Sequence, residues 1–122
     1  MKPESGYIKH VDLIAKSEFI RIFREVESLE DWFTESELQA FSFPRNAGSL
    51  GARYLIKKRI CEQVGANAMR KEIEILNDAY GKPQMSYQDN LSDAIESAGI
   101  RNIMCSISHS RNYITGMIIF CF

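Results

Sequence analysis

Residues 7 to 14, Tyr-Ile-Lys-His-Val-Asp-Leu-Ile, are rich in β-forming types and alternate, which predicts a strand with Ile8, His10, Asp12 and Ile14 on one face. From Ser17 the period lengthens. Phe19, Ile22, Phe23 and Val26 recur at helical spacing, with Lys16, Arg21, Arg24 and Glu25 on the polar side. A further helix start lies at Phe33-Thr34-Glu35-Ser36-Glu37-Leu38, where Thr34 caps, Glu37 reaches back and Phe33 staples onto Leu38. Pro44 to Gly48 is a turn-rich loop, and a long helix is predicted from about Ser49 to a stop at Gly65.

Beyond it, Glu72-Ile73-Glu74-Ile75-Leu76 alternates as a strand with Ile73 and Ile75 inward. Asn77 to Pro83 turns the chain toward a short strand near Met85, and Asn90 to Ala98 reads as a short helix ending at Gly99. Arg101 to Ser108 and Tyr113 to Phe122 read as strands joined by the His109-Ser110-Arg111-Asn112 turn. There is no internal repeat and no low-complexity tract. The order of elements predicts an α+β fold: a single small domain over residues 1–122, with an antiparallel sheet and a long central helix.

Composition narrows the function classes. A chain of 122 residues supports one core. With 45% hydrophobic residues, 25% charged residues and a net charge of −1, no global field favours nucleic acid or a membrane surface. Any phosphate recognition must come from local clusters. Cys61, Cys105 and Cys121 are an odd number without C-x-x-C spacing, which argues against a disulfide framework and a zinc site and for free thiols in a reducing compartment. Met1 to Tyr7 has no apolar run after its lysine, and no apolar stretch approaches the ~18 residues of a membrane span. The expectation is a cytoplasmic protein without a signal peptide.

Local clusters exist. Arg53 and Lys57 share one helical face, Tyr54 and Lys58 the neighbouring one, and Arg59 completes a basic run. Such a run suits phosphate oxygens, Arg offering a fork and Lys a point charge; basic residues on helices also form plain solvated faces. Gly81-Lys82-Pro83 is by itself turn chemistry, and Ser106-Ile107-Ser108-His109 by itself a strand end with a surface histidine.

Taken together, Ser49 to Ile60, Gly81-Lys82-Pro83 and Ser106-Ile107-Ser108-His109-Ser110 resemble the signature of the 4'-phosphopantetheinyl transferases, most closely the small holo-acyl-carrier-protein synthases. The resemblance runs from about Val11 to Ser110 and includes the Phe33-Thr34-Glu35 start, where the family often writes F-T-x-x-E at a similar distance. It departs at three places. The family helix reads roughly L-A-G-R-[FW]-x-x-K-E-[AS], and the position of its Glu is Lys58; Gly-x-Asp is His10-Val11-Asp12; Gly-Thr-Gly is Gly65-Ala66-Asn67.

The resemblance implies transfer of 4'-phosphopantetheine from coenzyme A to a serine of an acyl carrier protein, in fatty acid or polyketide biosynthesis, by a homotrimer with sites between subunits. Arg53, Lys57, Lys82, Pro83, Ser108 and His109 would hold coenzyme A. Asp12, Lys57 and Lys58 would carry the chemistry, with Asp12 as the ligand of the family's Mg²⁺. Lys58 would face Asp12 as a surrogate for the metal, because that pair sums to zero formal charge, as do Asp, Glu and Mg²⁺. Glu62, one turn on, either pairs with Lys58 or lends a carboxylate to a metal. The same substitution supports a second reading, a non-catalytic protein that binds coenzyme A or the carrier protein.

Overall fold

The computed structural model describes residues 6–122. In chain order the elements are β1 (Tyr7–Ala15), α1 (Lys16–Glu25), α2 (Leu29–Trp32), α3 (Glu35–Ala40), α4 (Ala47–Val64), a 3-10 segment (Asn67–Glu72), β2 (Ile73–Asn77), β3 (Pro83–Tyr87), α5 (Asp89–Ser97), β4 (Asn102–His109) and β5 (Tyr113–Cys121). The α+β expectation holds, and every strand pairing is antiparallel. The strands form two sheets rather than one, a three-stranded sheet in the order β1-β5-β4 and the separate hairpin β2-β3. The one-turn α2 and the 3-10 segment had no predicted counterpart, since neither is long enough to show a period.

The alternation of β5 explains its central place. Ile114, Gly116, Ile118 and Phe120 all point to the buried side, and both neighbours register against them. Helix α4 lies across that side. Gly116 allows the approach, because a Cβ there would meet Leu55 Cβ at 3.2 Å and the Ala52 carbonyl oxygen at 3.3 Å. The opposite side of α4 is covered by Phe19, Phe23, Trp32 and Phe33, with the Tyr54 ring 4.7 Å from Trp32 and 5.3 Å from Phe23. The helix is therefore buried all round from Leu50 to Lys57.

Local signals terminate the elements as expected. Thr34 Oγ1 accepts the Glu37 N–H at 3.2 Å, and Glu37 Oε1 accepts the Thr34 N–H at 2.9 Å, closing the capping box of α3. Helix α4 ends at Gly65, whose φ of 70° is left-handed and suits glycine.

Candidate functional site: two clefts on either side of the central helix

Burial of α4 divides its basic run. Lys57 is 0% exposed; its Nζ donates to Glu37 Oε1 at 2.5 Å and to the Trp32 carbonyl at 2.8 Å. Glu37, also 0% exposed, accepts the Ile75 N–H with its other oxygen at 2.9 Å. Burial pushes the Lys57 ammonium below the usual lysine range, and the Glu37 carboxylate opposes that shift. Lys57 was expected to bind coenzyme A and take part in chemistry. It is instead an internal cation tying α4 to α2 and α3, out of reach of any ligand.

Arg53 is 1% exposed but lies in the wall of a cleft of about 380 Å³, with Ser49, Asn77, Gly81, Pro83, Ile107, Ser108 and His109. Its Nε donates to the Ile75 carbonyl at 2.6 Å, Nη1 to the Ser49 carbonyl at 3.0 Å and Nη2 to Asn77 Oδ1 at 3.1 Å. These three bonds leave two of the five guanidinium N–H groups. The Phe41 ring packs 4.1 Å from Cζ. Burial pulls the guanidinium below its ordinary pKa, which is so high that the group stays charged at neutral pH. No carboxylate forms a salt bridge with it among the described residues. A buried cation held only by neutral oxygens makes this wall attractive to an anion.

The other motifs converge on the same cleft. The 81–83 turn is held by Asp78 Oδ1, which accepts the Tyr80 N–H at 2.8 Å and the Lys82 N–H at 2.9 Å; these donors keep the Asp78 carboxyl below its usual range. Gly81, at φ 81°, permits the turn. Pro83 lines the cleft, while the exposed Lys82 lines an adjoining groove with Pro83, Met85, Tyr87, Ile103 and Cys105. The His109 ring lies against Gly48, where a Cβ would stand 2.6 Å from Cγ and Nδ1. A Gly48→Ala variant is expected to push His109 out of the cleft, at the cost of about 1–3 kcal/mol typical of overpacking. A crystal structure of that variant with the imidazole unmoved would contradict this placement.

On the other side of α4 a cleft of about 330 Å³ is lined by Asp12, Leu13, Ile14, Glu18, Ile22, Tyr54, Leu55, Lys58, Arg59 and Glu62. The expected pairing of Lys58 with Asp12 does not form. Arg59, not Lys58, meets Asp12, with Nε 3.0 Å from Oδ2 and Nη2 2.5 Å from Oδ1. The carboxylate raises the Arg59 pKa further. Glu62 stands 3.7 Å from Arg59 Nη1, so it pairs there rather than with Lys58. Lys58 is exposed, with Nζ 5.8 Å from the Tyr54 ring centroid.

This donor set does not fit the Mg²⁺ implied by the sequence resemblance. Both oxygens of Asp12 are engaged by a guanidinium, an ammonium stands at the position of the second carboxylate, and no group of at least three His, Cys, Asp or Glu side chains among the described residues is placed to hold a metal ion. The two clefts share no lining residue. Arg53, Pro83, Ser108 and His109 are brought together in one, and Asp12 and Lys58 in the other. The pairing of Arg59 with Asp12 escaped sequence reasoning because it depends on where β1 crosses α4, which no spacing encodes.

No family profile matches the chain. A holo-[acyl-carrier-protein] synthase of Ruminiclostridium cellulolyticum is 33% identical over 105 residues, covering 76% of this chain and 78% of that protein. A fatty acid synthase alpha subunit of Monascus ruber is 35% identical over 95 residues, covering 73% of this chain but only 5% of that far longer protein. Among solved structures, the complex of the Chronobacterium ammoniagenes acyl-carrier-protein synthase with coenzyme A superposes at a TM-score of 0.76 with 20% identity, over 96% of this chain and 98% of that one. That likeness shows a shared fold.

Proposed function

The chain belongs to the holo-[acyl-carrier-protein] synthase family, and from that premise we propose that it transfers 4'-phosphopantetheine from coenzyme A to a serine of an acyl carrier protein. The observation that carries the reading is the cleft beside Arg53, where the helix, the Gly81-Lys82-Pro83 turn and the Ser108-His109 strand end meet around a buried cation without an ion-pair partner among the described residues. The phosphorylated nucleotide of coenzyme A supplies the anion this wall lacks. Arg53 offers its two remaining N–H groups from a fixed position, so little entropy is lost on binding. His109, seated on Gly48, and Lys82, at the rim, add donors to phosphate oxygens.

The reaction needs a second set of groups. The carrier serine oxygen attacks the β-phosphorus of coenzyme A, the bond from that phosphorus to the bridging oxygen breaks, and 3',5'-ADP leaves. The serine proton passes to solvent or to the exposed Glu62. Lys58, exposed and without an ion pair among the described residues, is the cation best placed to face the pyrophosphate in the Asp12 cleft. We assign no step to Lys57. Release of 3',5'-ADP that requires both this protein and a carrier with its serine intact tests the reading; release that ignores the loss of that serine would contradict it.

Separation of the two clefts supports a site shared between copies, and hence a homo-oligomer, with a trimer as the assembly the family resemblance implies. The outer face of the three-stranded sheet exposes Tyr7, Val11 and Leu13 on β1 at 68%, 59% and 64%, and Met104 on β4 at 47%. Apolar area of this kind favours cover by another copy. Light scattering is expected to give a trimer, and a monomer at high concentration would contradict the shared site. Free thiols at Cys61, Cys105 and Cys121 support a reducing, cytoplasmic setting.

A further inference from the structure

The Asp12 cleft carries its own charge compensation. Asp12 and Arg59 form two parallel hydrogen bonds in a half-buried pair, with side-chain exposures of 24% and 31%. A bidentate guanidinium is a strong partner for a carboxylate, and it occupies both oxygens that a cation would need. The remaining lining charges are Glu18, Glu62 and Lys58. Glu18 is taken by Arg21 at 2.6 Å, and Glu62 leans toward Arg59 at 3.7 Å. Lys58 is the one lining cation with no salt bridge among the described residues.

A divalent cation entering this cleft meets the positive charges of Lys58 and Arg59, while the lining carboxylates Asp12 and Glu18 are each hydrogen-bonded to a guanidinium and Glu62 stands 3.7 Å from one. Mg²⁺ also asks for near-octahedral oxygen coordination and gives up its water reluctantly. A pyrophosphate entering the same cleft meets the free ammonium of Lys58 and the outer edge of Arg59. Lys58 and Arg59 together bring two positive charges to the cleft, the formal charge of one divalent ion.

Building on the coenzyme A reading above, we propose that this cleft takes the pyrophosphate of coenzyme A without a divalent metal, Arg59 occupying the carboxylate of Asp12 and Lys58 supplying the free positive charge. Substrate recognition is thus metal-independent. Arg59 also stands where the family motif has Ala or Ser, so two adjacent basic residues, not one, replace the metal site.

Calorimetry of the intact oligomer with coenzyme A decides the matter, run once with a chelator and once with millimolar Mg²⁺. The expected dissociation constants agree within about threefold, less than 0.7 kcal/mol. Binding weakened by more than that with chelator, and restored by Mg²⁺, overturns this inference while leaving the coenzyme A reading intact. Absence of binding in both conditions overturns both. A Lys58→Glu, Arg59→Ala double variant, titrated with Mn²⁺ alone and read by electron paramagnetic resonance, is expected to bind the ion at least about tenfold more tightly than the native protein. Equal Mn²⁺ affinity in the two proteins contradicts the claim that these side chains exclude the metal.

Discussion

A Glu37→Ala variant is expected to lose about 3–5 kcal/mol of folding stability, the cost of breaking a buried ion pair from one side. Lys57 Nζ would keep only the Trp32 carbonyl, with its charge still fully buried. The loss extends beyond the pair, because Glu37 also accepts the Thr34 and Ile75 N–H groups. One carboxylate therefore holds the start of α3, the centre of α4 and the edge of β2 that no strand pairs among the described residues. Urea denaturation measures the effect. Removing both charges, in a Glu37→Leu, Lys57→Met double variant, should cost less than either single change, since no uncompensated ion remains. A double variant as damaged as the sum of the singles would show that the two residues are not coupled.

Arg53→Ala is expected to weaken coenzyme A binding about tenfold to a hundredfold, the equivalent of one hydrogen bond to a charged group at about 1.5–3 kcal/mol. It should also destabilise the fold, because the same guanidinium satisfies the Ile75 carbonyl and bridges to Asn77. Between them, Glu37 and Arg53 serve the N–H and the C=O of Ile75 as a neighbouring strand would. Separating the two effects requires affinity measured on folded protein by calorimetry. Lys82→Ala supplies the contrast. Lys82 is exposed, and its loss should weaken binding less and leave stability unchanged. Equal affinities for the native protein and the Arg53→Ala variant would remove Arg53 from the site.

Much of the fold could be read from patterning. The alternating strand β1, the terminal strand β5, the Thr34–Glu37 capping box and the Gly65 stop all describe local geometry, and all appear in the structure. Separation of β2-β3 from the larger sheet could not be read, because pairing partners follow from how α4 and α3 pack. The basic run on α4 shows the limit most clearly. Arg53 and Lys57 lie among Leu50, Tyr54, Leu55, Ile56 and Ile60, which leave the helix no continuous polar face before Lys58. A helix apolar on every side is buried on every side, so its cations must find partners inside. That signal was present in the sequence. The identity of the partner was not, since Glu37 reads as a surface capping residue until the fold brings α3 against β2.

Site residues followed the same division. The motif around Gly81-Lys82-Pro83 and Ser108-His109 marks backbone turns and strand ends, whose position is local, and the structure gathers it beside Arg53. The Asp12 cleft is made by two long-range crossings, β1 and α1 over α4, and there the expected Lys58 pairing gave way to Arg59.

Intact mass of a purified acyl carrier protein, recorded before and after incubation with this protein and coenzyme A, tests the transfer directly. The expected result is an increase equal to one phosphopantetheine group, borne by one serine, abolished by replacing that serine and strongly reduced by Arg53→Ala. An unchanged carrier mass in the presence of demonstrated coenzyme A binding would contradict transfer and leave a binding protein in its place.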